Sequence, residues 1–339
     1  MSESDIHLLL TVPIPPALVE RLQAVSPRLK ITSHPTSDAV ALPEDLLQEV
    51  EILYTLNALP DADLVPNLRW IQIHYAGVDH IMGHPLLSSD LMITTMSGVS
   101  APQLAELTLM FILTLSHRIL KIIHSTPEER WAPGRLKRYQ PQELRGSTVG
   151  IVGYGSVGRE IARLCQAFGA RVLASKRDLK YLSDAGYSLE GIGDPDAEIP
   201  DRIYPSQALR SMVSLCDFVI VTIPLTQETQ GIFDEPVFEA MKPSAYLIDV
   251  SRGGIVDHGA LVEALNLDRL AGAALDVYPI EPLPESSPLW EMENVLLTPH
   301  IGGSSPHYLE RAIQLFSENI QHYLSGMPLL NIYDPSREY

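Results

Sequence analysis

The run Val149-Gly-Ile-Val-Gly153-Tyr154-Gly155-Ser156-Val157-Gly158 has the residue types and spacing to cradle a pyrophosphate. An apolar stretch precedes the glycines. Val157, Ile161, Leu164, Cys165 and Phe168 then recur at helical spacing before a second apolar stretch, Arg171–Ala174. Strand, glycine turn, helix and strand is the order of a dinucleotide-binding unit. Gly153 permits the tight turn, Gly155 lets backbone approach the phosphates, and Gly158 lets helix and strand pack closely. Free N–H groups at the helix start then face the anion. Where a site for NAD(H) usually carries an acid for the ribose hydroxyls, this chain has Lys176 and Arg177. Two cations suit a 2′-phosphate, which predicts a preference for NADP(H). The alternative is NAD(H), with the basic pair solvated and Asp178 serving the ribose.

The elements that must position these groups alternate along the whole chain. Expected strands are Leu8–Val12, Ile52–Leu56, Trp70–Ile73, Met92–Thr95, Thr148–Gly153, Arg171–Ala174, Phe218–Ile223, Tyr246–Val250, Gly272–Val277 and Val295–Thr298. Most are Val/Ile/Leu runs without alternation, as in strands covered on both faces, and helix-period segments lie between them. The pattern predicts an α/β protein with two Rossmann-like, doubly wound parallel-sheet domains and a cleft between them. Two segments read as long connecting helices, from about Ala101 to His124 and from Ser305-Pro306 to about Leu324. They divide the chain into residues 1–97 plus 304–339 as a substrate domain and 98–303 as the dinucleotide-binding domain. The stretch Tyr181–Asp201, with six acids and no base, reads as a solvated surface loop.

Composition excludes several functions. With 339 residues, 45% of them apolar and 19% charged, the chain is long enough for two cores and is not a disordered segment. A net charge of −18 repels nucleic acid, so no such partner is expected, and an anionic substrate needs a local positive island. The two cysteines, Cys165 and Cys216, sit beside apolar runs and read as buried reduced thiols of a cytoplasmic protein. No signal peptide is visible, and the apolar stretch Leu104–Leu115 is too short to span a bilayer, so no membrane role is expected. That stretch is instead a candidate buried interface of a homodimer. His74, His80 and His84 cluster, but no carboxylate or thiolate completes a ligand set, so no metal is expected.

Three further segments each follow an expected strand: Asp249-Val250-Ser251-Arg252-Gly-Gly-Ile-Val-Asp257, Gly272-Ala-Ala-Leu-Asp276-Val-Tyr-Pro-Ile-Glu281-Pro282, and Leu297-Thr-Pro-His300-Ile-Gly302-Gly303. Together with the glycine loop they resemble the D-isomer-specific 2-hydroxyacid dehydrogenase family, over most of the chain. The resemblance implies that Arg252, Glu281 and His300 are catalytic. Arg252 would fork the carboxylate of a 2-oxo or 2-hydroxy acid and polarise the neighbouring carbonyl, supplying the positive island. His300 would give a proton to the carbonyl oxygen in reduction and take it back in oxidation, with Glu281 orienting the imidazole and favouring its charged form.

Other residues carry over by matching motif. Tyr75, Ala76, Gly77 and Val78 resemble the loop whose backbone amides hold the substrate carboxylate. Ile223, Pro224 and Thr229 resemble the segment lining the adenosine half. Val250, Ser251 and Gly302 would flank the nicotinamide, Asp276 would bind its carboxamide, and Thr108 is a further candidate contact. Departures from the family are Pro279, where an acid is common, and a loop after Asp178 about a dozen residues longer than usual. Trp131 resembles a tryptophan that relatives in the glyoxylate and hydroxypyruvate reductase branch place across a dimer interface. The resemblance therefore implies a cytoplasmic, homodimeric NAD(P)-dependent oxidoreductase, a reductase of small 2-oxo acids of the glyoxylate or hydroxypyruvate type. The other readings are a formate dehydrogenase, against which Glu281 argues because glutamine is typical there, and a non-catalytic dinucleotide sensor of the corepressor kind.

Overall fold

The computed structural model describes residues 5–184 and 186–339. The chain divides into two compact units. The first gathers Met1–Val99, Ala185–Leu189 and Ser305–Tyr339, and the second Ser100–Asp184 and Glu190–Ser304.

The first unit is built on β1 (Ile6–Leu10), β2 (Leu29–Ser33), β3 (Ile52–Thr55), β4 (Trp70–Ile73) and β5 (Met92–Thr94). These strands form one sheet in the order β2-β1-β3-β4-β5, all parallel. Every residue of β3 and β4 is buried, because each face of the sheet carries its own apolar cluster. On one face the helix Tyr308–Ser325 sets Phe316 against Tyr54 and Trp70, with ring centroids 4.9 and 5.2 Å apart. That helix ends at Gly326, whose φ of 67° is the left-handed stop that glycine adopts at least cost. Its start lies at Tyr308 and not at the expected Ser305-Pro306. The Ser305 hydroxyl accepts the His307 N–H and holds a separate turn ahead of the helix.

The second unit holds β6 (Thr148–Val152), β7 (Arg171–Lys176), β8 (Arg202–Pro205), β9 (Phe218–Val221), β10 (Tyr246–Asp249), β11 (Gly272–Leu275) and β12 (Val295–Leu297). Their order is β12-β11-β10-β9-β6-β7-β8, again all parallel. The strand order reverses between β6 and β9. A doubly wound sheet opens its crevice at that point, beyond the carboxyl ends of the strands.

Two strands, β2 and β8, were not expected. Both are edge strands, and their sequences, Leu-Lys-Ile-Thr-Ser and Arg-Ile-Tyr-Pro, lack the continuous apolar run of a strand buried on both faces. The expected helix over residues 101–124 is two helices, Ala101–Ser116 and Ile119–His124. Arg118 takes a left-handed φ of 54° between them, with neither glycine nor proline to announce the break. Within Leu104–Leu115, Ala105, Phe111, Ile112 and Leu115 are buried in the core of their own unit, while Met110 on the same helix is exposed.

The stretch Tyr181–Asp201 is a largely exposed loop, as expected, but it is anchored at a few points. Tyr187 and Asp194 are buried, and residues 186–189 are part of the first unit although the flanking residues belong to the second. In the first unit the Tyr187 N–H donates to Asn331 Oδ1 at 3.0 Å. A Cβ at Gly98 would stand 2.2 Å from the Tyr187 carbonyl oxygen, so only glycine fits there. In the second unit Arg159 is 2% exposed. Its guanidinium donates to the carbonyls of Leu182, Asp194 and Pro195 and lies 3.4 Å from Asp184, as a buried cation requires. Asp194 accepts from the Tyr154 hydroxyl and from the N–H groups of Glu198 and Ile199. The acids that suggested a solvated loop are thus partly spent on internal partners. No described helix is long and apolar enough to cross a membrane.

Candidate active site

The site of the second unit is assembled from turns that leave the carboxyl ends of β6, β10, β11 and β12. After β6, Gly153 adopts a φ of 106°, which turns the chain into the helix Ser156–Ala167. A Cβ at Gly158 would meet the Gly153 carbonyl oxygen at 2.2 Å, so the loop closes on the helix only with glycine there. A Cβ at Gly155 would meet nothing within 4 Å, so the protein leaves space open beside that residue. Ile223, after β9, lies against the loop: a Cβ at Gly153 would come within 2.8 Å of its side chain. The open side of Gly155 and the first turn of the helix fit a pyrophosphate.

Not every residue expected at the cofactor presents its side chain there. The Tyr154 ring is buried, and its hydroxyl donates to Asp194 at 2.5 Å. Burial, reinforced by that carboxylate, holds the phenol protonated far above its ordinary range. Thr108 is fully buried and gives its hydroxyl to the Leu104 carbonyl at 2.8 Å. The Thr229 hydroxyl accepts the Thr226 N–H at 2.8 Å and lies 2.7 Å from the Pro224 carbonyl, holding the turn after β9 in shape. Lys176 closes β7, with Nζ 3.2 Å from the Leu182 carbonyl. Its pKa is lowered by partial burial and then by the neighbouring Arg159. Arg177 lies 4.0 Å from Glu228.

Three adjacent strands carry the candidate chemistry. Arg252 follows β10, and its guanidinium donates to the Ser251 carbonyl at 2.8 Å. Glu281 follows β11. One of its carboxylate oxygens accepts the Tyr278 N–H at 3.0 Å, and the other lies 2.8 Å from His300 Nδ1. His300 follows β12 with a left-handed φ of 52°, and both members of the pair are partly exposed. The turns of Arg252 and Glu281 touch: a Cβ at Gly253 would stand 1.8 Å from the Tyr278 carbonyl oxygen. Asp276 ties the turn of His300 down, accepting from the Thr298 hydroxyl at 2.6 Å and from the N–H groups of Ile301 and Gly302 at 3.0 and 2.8 Å. Arg252, Glu281 and His300, far apart in the chain, are thereby set on neighbouring turns, with Asp276 beneath them.

Sequence reading singled out Asp276 but missed Asp249, which ends β10 at 1% exposure. One of its oxygens accepts from the Ser251 N–H and hydroxyl, while the other, Oδ2, is buried with no partner among the described residues. Burial pushes this carboxyl up to about 7, and the nearby Asp276 adds to the rise. The available signal was an acid in the last position of an otherwise apolar central strand.

In the first unit Tyr75–Val78 leaves the carboxyl end of β4. The preceding His74 anchors it, with Nδ1 2.7 Å from the Tyr54 hydroxyl and its carbonyl accepting from Tyr308 at 2.5 Å. Burial lowers the His74 pKa to about 4, so its ring is neutral near pH 7. The N–H groups of Ala76, Gly77 and Val78 donate to no protein acceptor among the described residues, which leaves a run of donors suited to an anion. The histidine cluster is taken up locally, His80 by the Leu56 carbonyl and His84 by the Leu86 N–H.

Residues 109–302 match the family model described as D-isomer specific 2-hydroxyacid dehydrogenase, NAD binding domain. A glyoxylate reductase of Thermofilum pendens is 32% identical over 307 residues, 87% of this chain and 86% of that protein. A D-3-phosphoglycerate dehydrogenase of Archaeoglobus fulgidus is 30% identical over 85% of this chain and 53% of its own length. Among solved structures, a D-isomer specific 2-hydroxyacid dehydrogenase from Xanthobacter autotrophicus Py2, in complex with NADPH and MES, superposes with a TM-score of 0.78. It is 28% identical, with 99% of this chain and 100% of that one covered.

Proposed function

Since the chain belongs to the D-isomer-specific 2-hydroxyacid dehydrogenase family, an oxidoreductase family acting on CH–OH groups, we propose that it reduces a small 2-oxo acid of the glyoxylate or hydroxypyruvate type with NADPH. The observation that carries this reading is the 2.8 Å contact of His300 Nδ1 with Glu281, on the turn that abuts Arg252. Glu281 accepts from Nδ1–H and so leaves Nε2 as the nitrogen that exchanges a proton with substrate. Arg252 grips the carboxylate through its planar fork and draws electron density from the adjacent carbonyl. His300 protonates the carbonyl oxygen as C2 is reduced and recovers that proton when the reaction runs backwards. The bound nicotinamide supplies the hydride. In the first unit the N–H groups of Ala76–Val78 are assigned to an anionic group of the substrate, and on the cofactor side Asp276 is assigned to the carboxamide. Turnover of a panel of 2-oxo acids with each reduced nicotinamide tests the assignment, and a chain that binds dinucleotide but turns over none of them refutes it.

The NADPH preference rests on Lys176 and Arg177. No acid stands between Gly158 and Lys176 at the end of β7 apart from the buried Glu160, which pairs with Arg163. Exchanging both cations for alanine is expected to raise KM for NADPH by at least ~10-fold, since each charge-assisted contact contributes about 1.5–3 kcal/mol, and to leave KM for NADH nearly unchanged. Steady-state kinetics with the two cofactors decide. Equal losses with both would show that the pair does not read the 2′-phosphate.

Homodimerisation is proposed through the segment 119–138, with a second copy as the occupant. Within these 20 residues Ile123, Trp131 and Leu136 are 61, 76 and 82% exposed, and exposed apolar side chains grouped in one segment suit an interaction surface. Light scattering of the native chain should give twice the chain mass, and Trp131→Ala with Leu136→Ala should shift it toward the monomer. A cytoplasmic location suits the two buried free thiols, which a reducing compartment preserves.

A further inference from the structure

We propose that Asp249 is a proton-carrying positioning residue of the nicotinamide site, neutral beside the reduced ring and ionised beside the oxidised one, so that exchange between the two redox forms moves a proton between the protein and water. The inference rests on the reading above that Val250, Ser251 and Asp276 surround the nicotinamide.

Two buried carboxyls end neighbouring strands, joined where the Asp276 N–H donates to the Asp249 carbonyl at 2.9 Å. They are not equivalent. Asp276 accepts three donors, spread over both of its oxygens. Asp249 has only the N–H and hydroxyl of Ser251, both on Oδ1, and Oδ2 has none. Of the two, Asp249 is the one that takes a proton, on Oδ2.

The charged groups acting on Asp249 are few. Asp276 favours the neutral form, and Arg252, three residues on, favours the ionised form. From β9, its other neighbour in the sheet, it meets the backbone of Val221. Burial drives the carboxyl to about 7, so a modest change in nearby charge decides its state. An oxidised nicotinamide ring is a cation and a reduced ring is neutral. The cation favours carboxylate over carboxylic acid, and the proton released goes to solvent. Oxidised cofactor should therefore bind more tightly as pH rises through neutrality, by up to ~10-fold per pH unit for one linked proton, while reduced cofactor does not.

Calorimetric titration of the full chain with NADP⁺ and with NADPH, without substrate, at pH 7 in two buffers of different ionisation enthalpy, counts the protons. The 2′-phosphate is common to both ligands and cancels in the difference. NADP⁺ should release a sizeable fraction of a proton more than NADPH. The difference should vanish in Asp249→Asn, which keeps an acceptor for Ser251, and persist in His300→Asn. Equal release by the two cofactors in the native chain overturns the proposal even if the variant fails to fold. So does a difference that survives in Asp249→Asn or disappears in His300→Asn. Failure of both nucleotides to bind would instead refute the cofactor reading beneath it.

Discussion

Replacing His300 by asparagine is expected to lower kcat for 2-oxo acid reduction by roughly 10²–10⁴-fold, the range for removing a positioned general acid, while cofactor affinity changes little. Asparagine keeps a polar group on the same turn but can deliver no proton at neutral pH. The Asp276 contacts to Thr298, Ile301 and Gly302 use the hydroxyl and backbone around the histidine and not its ring, so the turn should survive. The native enzyme supplies the matching pH signature. Reduction of the carbonyl takes up a proton that oxidation gives back, so raising the pH should disfavour reduction relative to oxidation. Single-turnover reduction of the variant, with dinucleotide binding measured separately by fluorescence, checks both parts. A variant that keeps most of its rate would remove His300 from the chemistry.

Arg159→Met is the second large effect, and it falls on stability. The side chain is 2% exposed and holds the carbonyls of Leu182, Asp194 and Pro195, with Asp184 at 3.4 Å and the Tyr154 ring 4.8 Å from its guanidinium carbon. Methionine restores the aliphatic stem but none of the donors, leaving those carbonyls and Asp184 without their cation. Breaking a buried pair by removing one partner costs about 3–5 kcal/mol. At roughly 2–4 °C per kcal/mol for a domain of this size, the melting transition of the second unit should fall by about 6–20 °C. The stretch 181–199 should also become the first site of proteolytic cutting, because its anchor is gone. An unchanged melt with the stretch still resistant would show that the remaining Asp194 bonds suffice alone. Because this network reaches Tyr154 of the glycine loop and the Leu182 carbonyl that lies against Lys176, weaker NADPH binding should accompany the loss.

Much of the architecture was legible because central strands of a parallel sheet must be apolar on both faces. Trp70–Ile73 was read to the residue, and the ends of the other expected strands moved by no more than two residues. The glycine loop was legible for a related reason: at Gly153 and Gly158 the backbone leaves no alternative side chain, so the constraint is written in the residue type. Edge strands β2 and β8 carried no such signature, since one side of each is open to solvent and polar residues are tolerated there.

The amino-acid sequence by itself determined which groups could do chemistry, a guanidinium, an imidazole and a carboxylate each following an apolar strand, because residue type and local period are one-dimensional properties. Tertiary structure alone decided their working environment. The side-by-side order of β10, β11 and β12 brings the turns of Arg252, Glu281 and His300 together. The same order stacks Asp249 beside Asp276 away from water, and Asp184 and Asp194 of the acidic stretch meet the buried Arg159. Burial and through-space charge depend on neighbours hundreds of atoms away along the chain, and no local pattern of residues encodes them.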